Sequence, residues 1–174
     1  MAATDSATVT LSTAKGDIVI NATGSLAPNA TGNFVALAAC GYYDGVVFHR
    51  LVPGFVIQGG DGQYGRVPNV DVSQVGLGGP GYTIPDDPVT TPYARGAVAM
   101  ARTSQPNSAG SQFFIVLDDG AAPALSAYNT YAIMGQVTSG MDVVDAIAAM
   151  PNSGPPSNAA LDPLPITKAS VSRP

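Results

Sequence analysis

The 174-residue sequence predicts a mainly β fold built from antiparallel strands. Three observations carry that prediction. Twenty glycines and fifteen prolines interrupt the chain too often for long helices. Glutamate is absent, so all 12 acidic residues are aspartates, which favour turns and caps over helix interiors. Short apolar or alternating runs bounded by those turn residues recur along the chain without an internal repeat. The length fits one domain with its own core, taken as residues 1–174, with residues 1–6 expected to be flexible.

The elements follow in order. Ala7–Thr13 alternates apolar and polar residues, and Lys15-Gly16 turns it into Asp17–Asn21, a hairpin. Pro28–Cys40 reads as a helix with Phe34, Leu37 and Ala38 near one face and Gly41 as its stop. Val46–Val52 and Val56–Gly59 form a strand pair around Pro53-Gly54. From Gly62 to Pro92 the chain is a long Gly-, Pro- and Asp-rich loop region, and a loop of that size usually borders a functional surface. Ala97–Ala101, Gln112–Leu117 and Tyr131–Val137 read as strands. Met141–Met150 is a second helix, with Val143, Val144 and Ile147 spaced for one buried face, and Ile166–Ser172 alternates again. Such a sheet must hide its edges, and a barrel is one of several ways to do so.

Composition excludes several function classes. Net charge is −5 with Lys15 and Lys168 the only lysines, so no basic stripe serves a phosphate backbone, and no nucleic-acid partner is expected. No run reaches membrane-spanning length, so no membrane partner is expected either. Met1–Asp5 lacks the basic and apolar regions of a signal peptide, which leaves a soluble protein that is either cytoplasmic or the trimmed domain of an exported one. Cys40 has no disulfide partner and is expected to be a small buried thiol. His49 is the only histidine, which removes His-His pairs and most zinc sites, and no metal or cofactor is expected. Asp86-Asp87 and Asp118-Asp119 read as solvated turn residues, and Gly76–Gly81 lacks the Lys and Ser/Thr of a phosphate loop. The apolar residues are accounted for by strands and helix faces, so a monomer is expected.

The run from Phe48 to Asp61, FHRLVPGFVIQGGD, carries the chemistry. Strict alternation puts Arg50 on one face with Phe48 and Val52, opposite His49 and Leu51. An arginine in so apolar a run is costly unless paired or used. After the Pro53-Gly54 turn, Phe55 and Gln58 can return to the side of Arg50. The result is a charged donor beside an apolar floor, with an amide able to hold the guanidinium still.

The stretch from Tyr43 to Gly60 resembles the signature of cyclophilin-type peptidyl-prolyl cis-trans isomerases. Met100-Ala101-Arg102 followed by Gly110–Ile115 resembles the second half of that family's site, and the similarity runs in order from Val9 to about Val171. The resemblance implies a closed eight-stranded antiparallel barrel capped by two α-helices. It also implies a cofactor-independent isomerase that accelerates rotation about X-Pro bonds and assists protein folding. Its partners would be proline-containing peptides and unfolded or loop segments of proteins.

Residue by residue, the resemblance makes Arg50 the catalytic arginine, with Phe55 and Gln58 completing the catalytic set and Gln58 orienting Arg50. Phe55, Val56, Phe114 and Leu125 match positions that form the proline pocket. Gln112 would bond the substrate backbone, Ala101 and Arg102 match the edge that pairs with the peptide, and Tyr131 matches an aromatic or histidine on the far rim. Phe113 alternates away and reads as core. Family members often carry asparagine where Arg102 stands and methionine where Val56 stands. Many carry a tryptophan where Ala124 stands, in a chain that has none, and Leu125–Tyr131 is about two residues longer than the usual pattern. Cyclosporin, which leans on that tryptophan, is therefore expected to bind weakly. The competing reading is a non-catalytic proline-recognition or chaperone module, which would need the pocket but not Arg50.

Overall fold

A computed structural model describes residues 5–173. Of the segment expected to be flexible, residues 1–4 lie outside the described residues, while Ser6 already pairs with Thr23. The first hairpin joins β1 (Ser6–Thr13) to β2 (Gly16–Thr23). Next come α1 (Pro28–Ala39), β3 (Val47–Val52) and β4 (Val56–Gly59). The long loop then leads to β5 (Ala97–Met100) and β6 (Phe113–Val116). A 3-10 turn (Asp119–Ala121) runs into α2 (Ala122–Tyr128), followed by β7 (Ile133–Ser139), α3 (Met141–Ala148) and β8 (Ala159–Ser172).

The strands close into a barrel in the order β1-β2-β7-β5-β6-β4-β3-β8, every pair antiparallel. Closure leaves no sheet edge to template association. α1 buries Ala30, Thr31, Phe34, Val35, Leu37 and Ala38, and α3 buries Val143, Val144 and Ile147. Both stripes join the inward side chains of the strands in one core. Within it Phe113 meets Phe34, Tyr43 and Phe48, each edge-on, at 5.3, 5.5 and 6.1 Å between ring centres.

A second apolar cluster lies on the other face of β4, β5, β6 and β7. It holds Val56, Ala97, Ala99, Phe114, Val116, Leu125 and Ile133, together with Tyr93 from the loop region. Neighbouring residues divide between the two clusters: Phe113 and Ile115 point to the first, Phe114 and Val116 to the second.

Five sequence expectations change. A third helix, α2, forms where only a lengthened connection was expected; Pro123 stands in its first turn and Asn129 ends it in the left-handed region at φ 47. Cys40 is exposed, because it caps α1 beyond the buried stripe, and its thiol donates to Leu37 O at 3.3 Å. Asp87 is buried rather than solvated. It accepts from Ala30 N at 2.8 Å and Asn29 Nδ2 at 3.0 Å, capping α1 where Ala27 has no side-chain acceptor to offer. Asp86 pairs with Arg102 at 2.7 Å instead of facing water.

The last change concerns β3. Phe48 pairs with Gly59 but Arg50 pairs with Gln58, so His49 and Arg50 together oppose one residue. This is a β-bulge, and it resets the alternation. Phe48 and Leu51 both enter the inner core, and Arg50 and Val52 face the second cluster. Arg50 therefore does not share a face with Phe48. His49 lies on the outer side as well, its Nε2 edge against Gly76, where an added Cβ would come within 3.4 Å.

Candidate active site

The turn between β3 and β4 shapes one end of the site. Gly54 takes φ 69, Phe55 N donates to Val52 O at 3.0 Å, and Phe55 is left half-buried above the second cluster. Val56 follows, 2% exposed, and Gln58 comes next on the same face. Opposite, β6 offers Phe114 at 4% exposure, and α2 supplies Leu125, also at 4%. Tyr131 stands edge-on to Phe114 at 5.4 Å.

These side chains enclose a cavity of about 230 Å³, with Arg50 on its wall and Ala101 and Arg102 at its rim. Nine of the ten residues expected at the site line it: Arg50, Phe55, Val56, Gln58, Ala101, Arg102, Phe114, Leu125 and Tyr131. The tenth, Gln112, stands one step behind and lines an adjoining groove of about 440 Å³ between residues 76–83 and 101–112. Gln58, Ala101 and Arg102 border both spaces.

Hydrogen bonds fix the polar side of the cavity. Arg50 Nη1 donates to Gln58 Oε1 at 3.4 Å, and Gln58 Nε2 donates to Gln112 Oε1 at 3.0 Å. Gln112 Nε2 donates to Gly76 O at 2.9 Å and Gly78 O at 2.8 Å. Gly60 is needed for this approach: at φ 96, an added Cβ would fall 2.5 Å from Ser111 O. Arg102 is spent elsewhere, on Asp86 and on the carbonyls of Thr103 and Gln105 at 3.1 and 2.8 Å. Arg102 nonetheless lines the cavity.

His49 is buried and its Nδ1 has no hydrogen-bond partner. Burial pushes its imidazole down to about 4; Asp61 works against that shift and Arg50 adds to it. It is neutral at pH 7 and does not line the cavity. Among the described residues no group of three or more His, Cys, Asp or Glu side chains could hold a metal. No helix among them is long and apolar enough to cross a membrane.

Two features escaped sequence reasoning. Tyr128, 72% exposed, lines the cavity one helical turn after Ala124 and stands 6.5 Å from Tyr131. The extra length of 125–131 was its only signal. The backing of Gln112 by Gly76 and Gly78 had none, since a glycine-rich loop names no partner.

Arg50, hydrogen-bonded to Gln58, is thus a fixed donor beside a small, mainly apolar cavity. The chain matches the family model "Cyclophilin type peptidyl-prolyl cis-trans isomerase/CLD" over residues 8–171. It is similar to a probable peptidyl-prolyl cis-trans isomerase of Brucella abortus (strain 2308), 43% identical over 142 residues, covering 80% of this chain and 70% of that protein. It is also similar to peptidyl-prolyl cis-trans isomerase A of Dickeya dadantii (strain 3937), 36% identical over 173 residues, covering 98% and 87%. Among solved structures, a Cryptosporidium parvum cyclophilin-type isomerase, crystallised in the presence of the dipeptide Ala-Pro, superposes with a TM-score of 0.79 at 31% identity, covering 96% of this chain and 99% of that one. Barrel, cavity and sequence agree, and the chain belongs to the cyclophilin-type peptidyl-prolyl cis-trans isomerase family.

Proposed function

We propose that the cavity takes the proline ring of an X-Pro segment and that Arg50 catalyses rotation about the bond before it. The barrier to that rotation is about 18–20 kcal/mol, because resonance gives the C–N bond partial double character. Unassisted exchange takes roughly tens to hundreds of seconds. A catalyst has only to bind the twisted amide better than either planar isomer.

Twisting breaks the resonance, and the prolyl nitrogen becomes pyramidal with an available lone pair. A guanidinium N–H donates to that lone pair in the transition state and gains little from the planar amide. This is preorganised electrostatic stabilisation aimed at nitrogen, and a fixed donor of this kind is worth about 10²–10³-fold in rate. The observation that carries the reading is the Arg50–Gln58–Gln112 chain beside a small apolar cavity. Phe55, Val56, Phe114 and Leu125 hold the ring, Tyr131 and Tyr128 bound the far rim, and the Ala101–Arg102 edge and Gln112 take the peptide backbone. The substrates are proline-containing peptides and exposed or unfolded segments of proteins, turned over by a monomer.

Exchange spectroscopy on an Ala-Pro peptide tests this. Arg50→Ala should lower exchange about 10²–10³-fold while the peptide still binds. Arg50→Lys should recover only part of the loss, because lysine lacks the planar fork. Equal acceleration by wild type and Arg50→Ala would discard the mechanism. Binding without acceleration in either would make the protein a proline-recognition module instead.

Cyclosporin should bind weakly, because Ala124 leaves the rim open where the drug spreads. Ala124→Trp should tighten it, and nanomolar inhibition of the wild type in a titration would sink this claim.

A further inference from the structure

We infer that Asp61, which does not reach the cavity, is a positioning residue for Arg50, acting through the 76–78 loop and two glutamine amides. The inference rests on Arg50 being the catalytic donor.

Asp61 is fully buried, 0% exposed, on the segment that leaves β4. Among the described residues its carboxylate bonds no side-chain cation; instead it collects backbone donors from two parts of the loop. Oδ1 accepts from Gln63 N and Tyr64 N, both at 3.0 Å. Oδ2 accepts from Gly76 N at 2.8 Å and Gly78 N at 2.9 Å. One oxygen shapes the local turn, and the other holds a segment fifteen residues away. Gly76 and Gly78 are also the two residues whose carbonyls receive Gln112 Nε2.

Those two carbonyls set the polarity of everything that follows. A glutamine side chain offers a donor end and an acceptor end of nearly the same shape, so its partners decide which way it points. With Nε2 of Gln112 held by two carbonyls, its Oε1 must face Gln58. Gln58 then turns its own Nε2 to Gln112 and its Oε1 to Arg50, whose guanidinium can only donate. If the carbonyls move, Gln112 is free to turn over. An NH₂ facing the NH₂ of Gln58 would drive Gln58 over in turn, leaving a donor against the guanidinium. The relay therefore has a direction, and Asp61 fixes it from the far end.

The experiment compares wild type, Asp61→Asn, Gln112→Ala, the double variant and Arg50→Ala in Ala-Pro exchange, with peptide affinity measured separately. Asparagine keeps one acceptor for Gln63 N and Tyr64 N but sets an NH₂ against the amides of Gly76 and Gly78. We expect exchange to fall about tenfold with peptide affinity within about twofold, since a displaced catalytic group costs rate more than binding. The double variant should be no slower than the slower single variant, because both act through one chain. The side-chain Nε–Hε NMR signal of Arg50 should broaden or shift in Asp61→Asn.

A double variant whose loss is the product of the two single losses, or a wild-type rate with an unchanged Arg50 signal in Asp61→Asn, would overturn the inference. If Asp61→Asn does not fold, Gly78→Ala keeps the carboxylate and crowds it, since the new Cβ would collide with Asp61 Oδ1; the same slow exchange and altered Arg50 signal are expected, and their absence overturns the inference equally. Retained activity in Arg50→Ala would instead remove the catalytic reading beneath it.

Discussion

β1 and β6 stand four places apart in the ring of eight strands, on opposite walls of the same barrel. Along β1, buried and half-exposed residues alternate: Ala7, Val9 and Leu11 point in, while Thr8, Thr10 and Ser12 point out. Along β6 every residue is buried. One wall is a single layer against water; the other carries a second apolar layer outside it, made with α2 and Tyr93. The cavity is a gap in that second layer. The candidate site thus lies where the barrel wall is covered from outside, with the inner core behind it.

Adjacent phenylalanines on β6 test the comparison most severely. Phe113→Ala removes a fully buried ring from the inner core and should cost about 3–5 kcal/mol, read from the denaturant midpoint. Phe114→Ala opens the outer layer; it should cost about 2 kcal/mol in stability but tenfold or more in kcat/KM on an Ala-Pro substrate. Equal stability losses with unaffected catalysis would mean the two layers are one core and the cavity is not the site.

His49 probes how dry the covered side is. Its imidazole sits at about 4 when folded, against an ordinary 6.5. Between those values the unfolded chain binds a proton that the folded chain refuses. Stability from this group is therefore complete above about pH 6.5 and falls as the pH drops towards 4, by up to about 3 kcal/mol. His49→Gln should flatten that part of the stability–pH curve; an unchanged slope would show that water reaches the imidazole. The smallest effect belongs to the bare wall: Thr10→Ser on β1 should shift stability by no more than about 0.5 kcal/mol in the same assay.

The strands and two of the helices were legible because alternation and turn residues act over a few positions. The turn at Gly54 and the stripe of α3 lie where the pattern puts them. Of the candidate site, the family resemblance named ten residues, nine of which line the cavity while Gln112 stands behind it. What was lost depends on distant partners. Asp87 reads as a turn residue until α1, 57 residues earlier, supplies the amide it caps. Tyr128 carries no reading in the sequence, and only the turn of α2 brings it to the rim. The facing of His49 was misjudged because strict alternation assumes an unbroken ladder, and an extra residue in one strand leaves no mark in composition.

That extra residue has a consequence for how this sequence can vary. A bulge works as a parity switch: one added position in β3 exchanges inside for outside for everything on one side of it. Changing the identity of residue 49 leaves the count intact, so Arg50 keeps its outlook. Deleting it would send Arg50 or Phe48 to the wrong face, a charge into the core or a ring into water. Substitution and deletion at one position should therefore differ far more here than at Thr10, and among related chains the length of β3 should be held more tightly than the residue that fills its bulge.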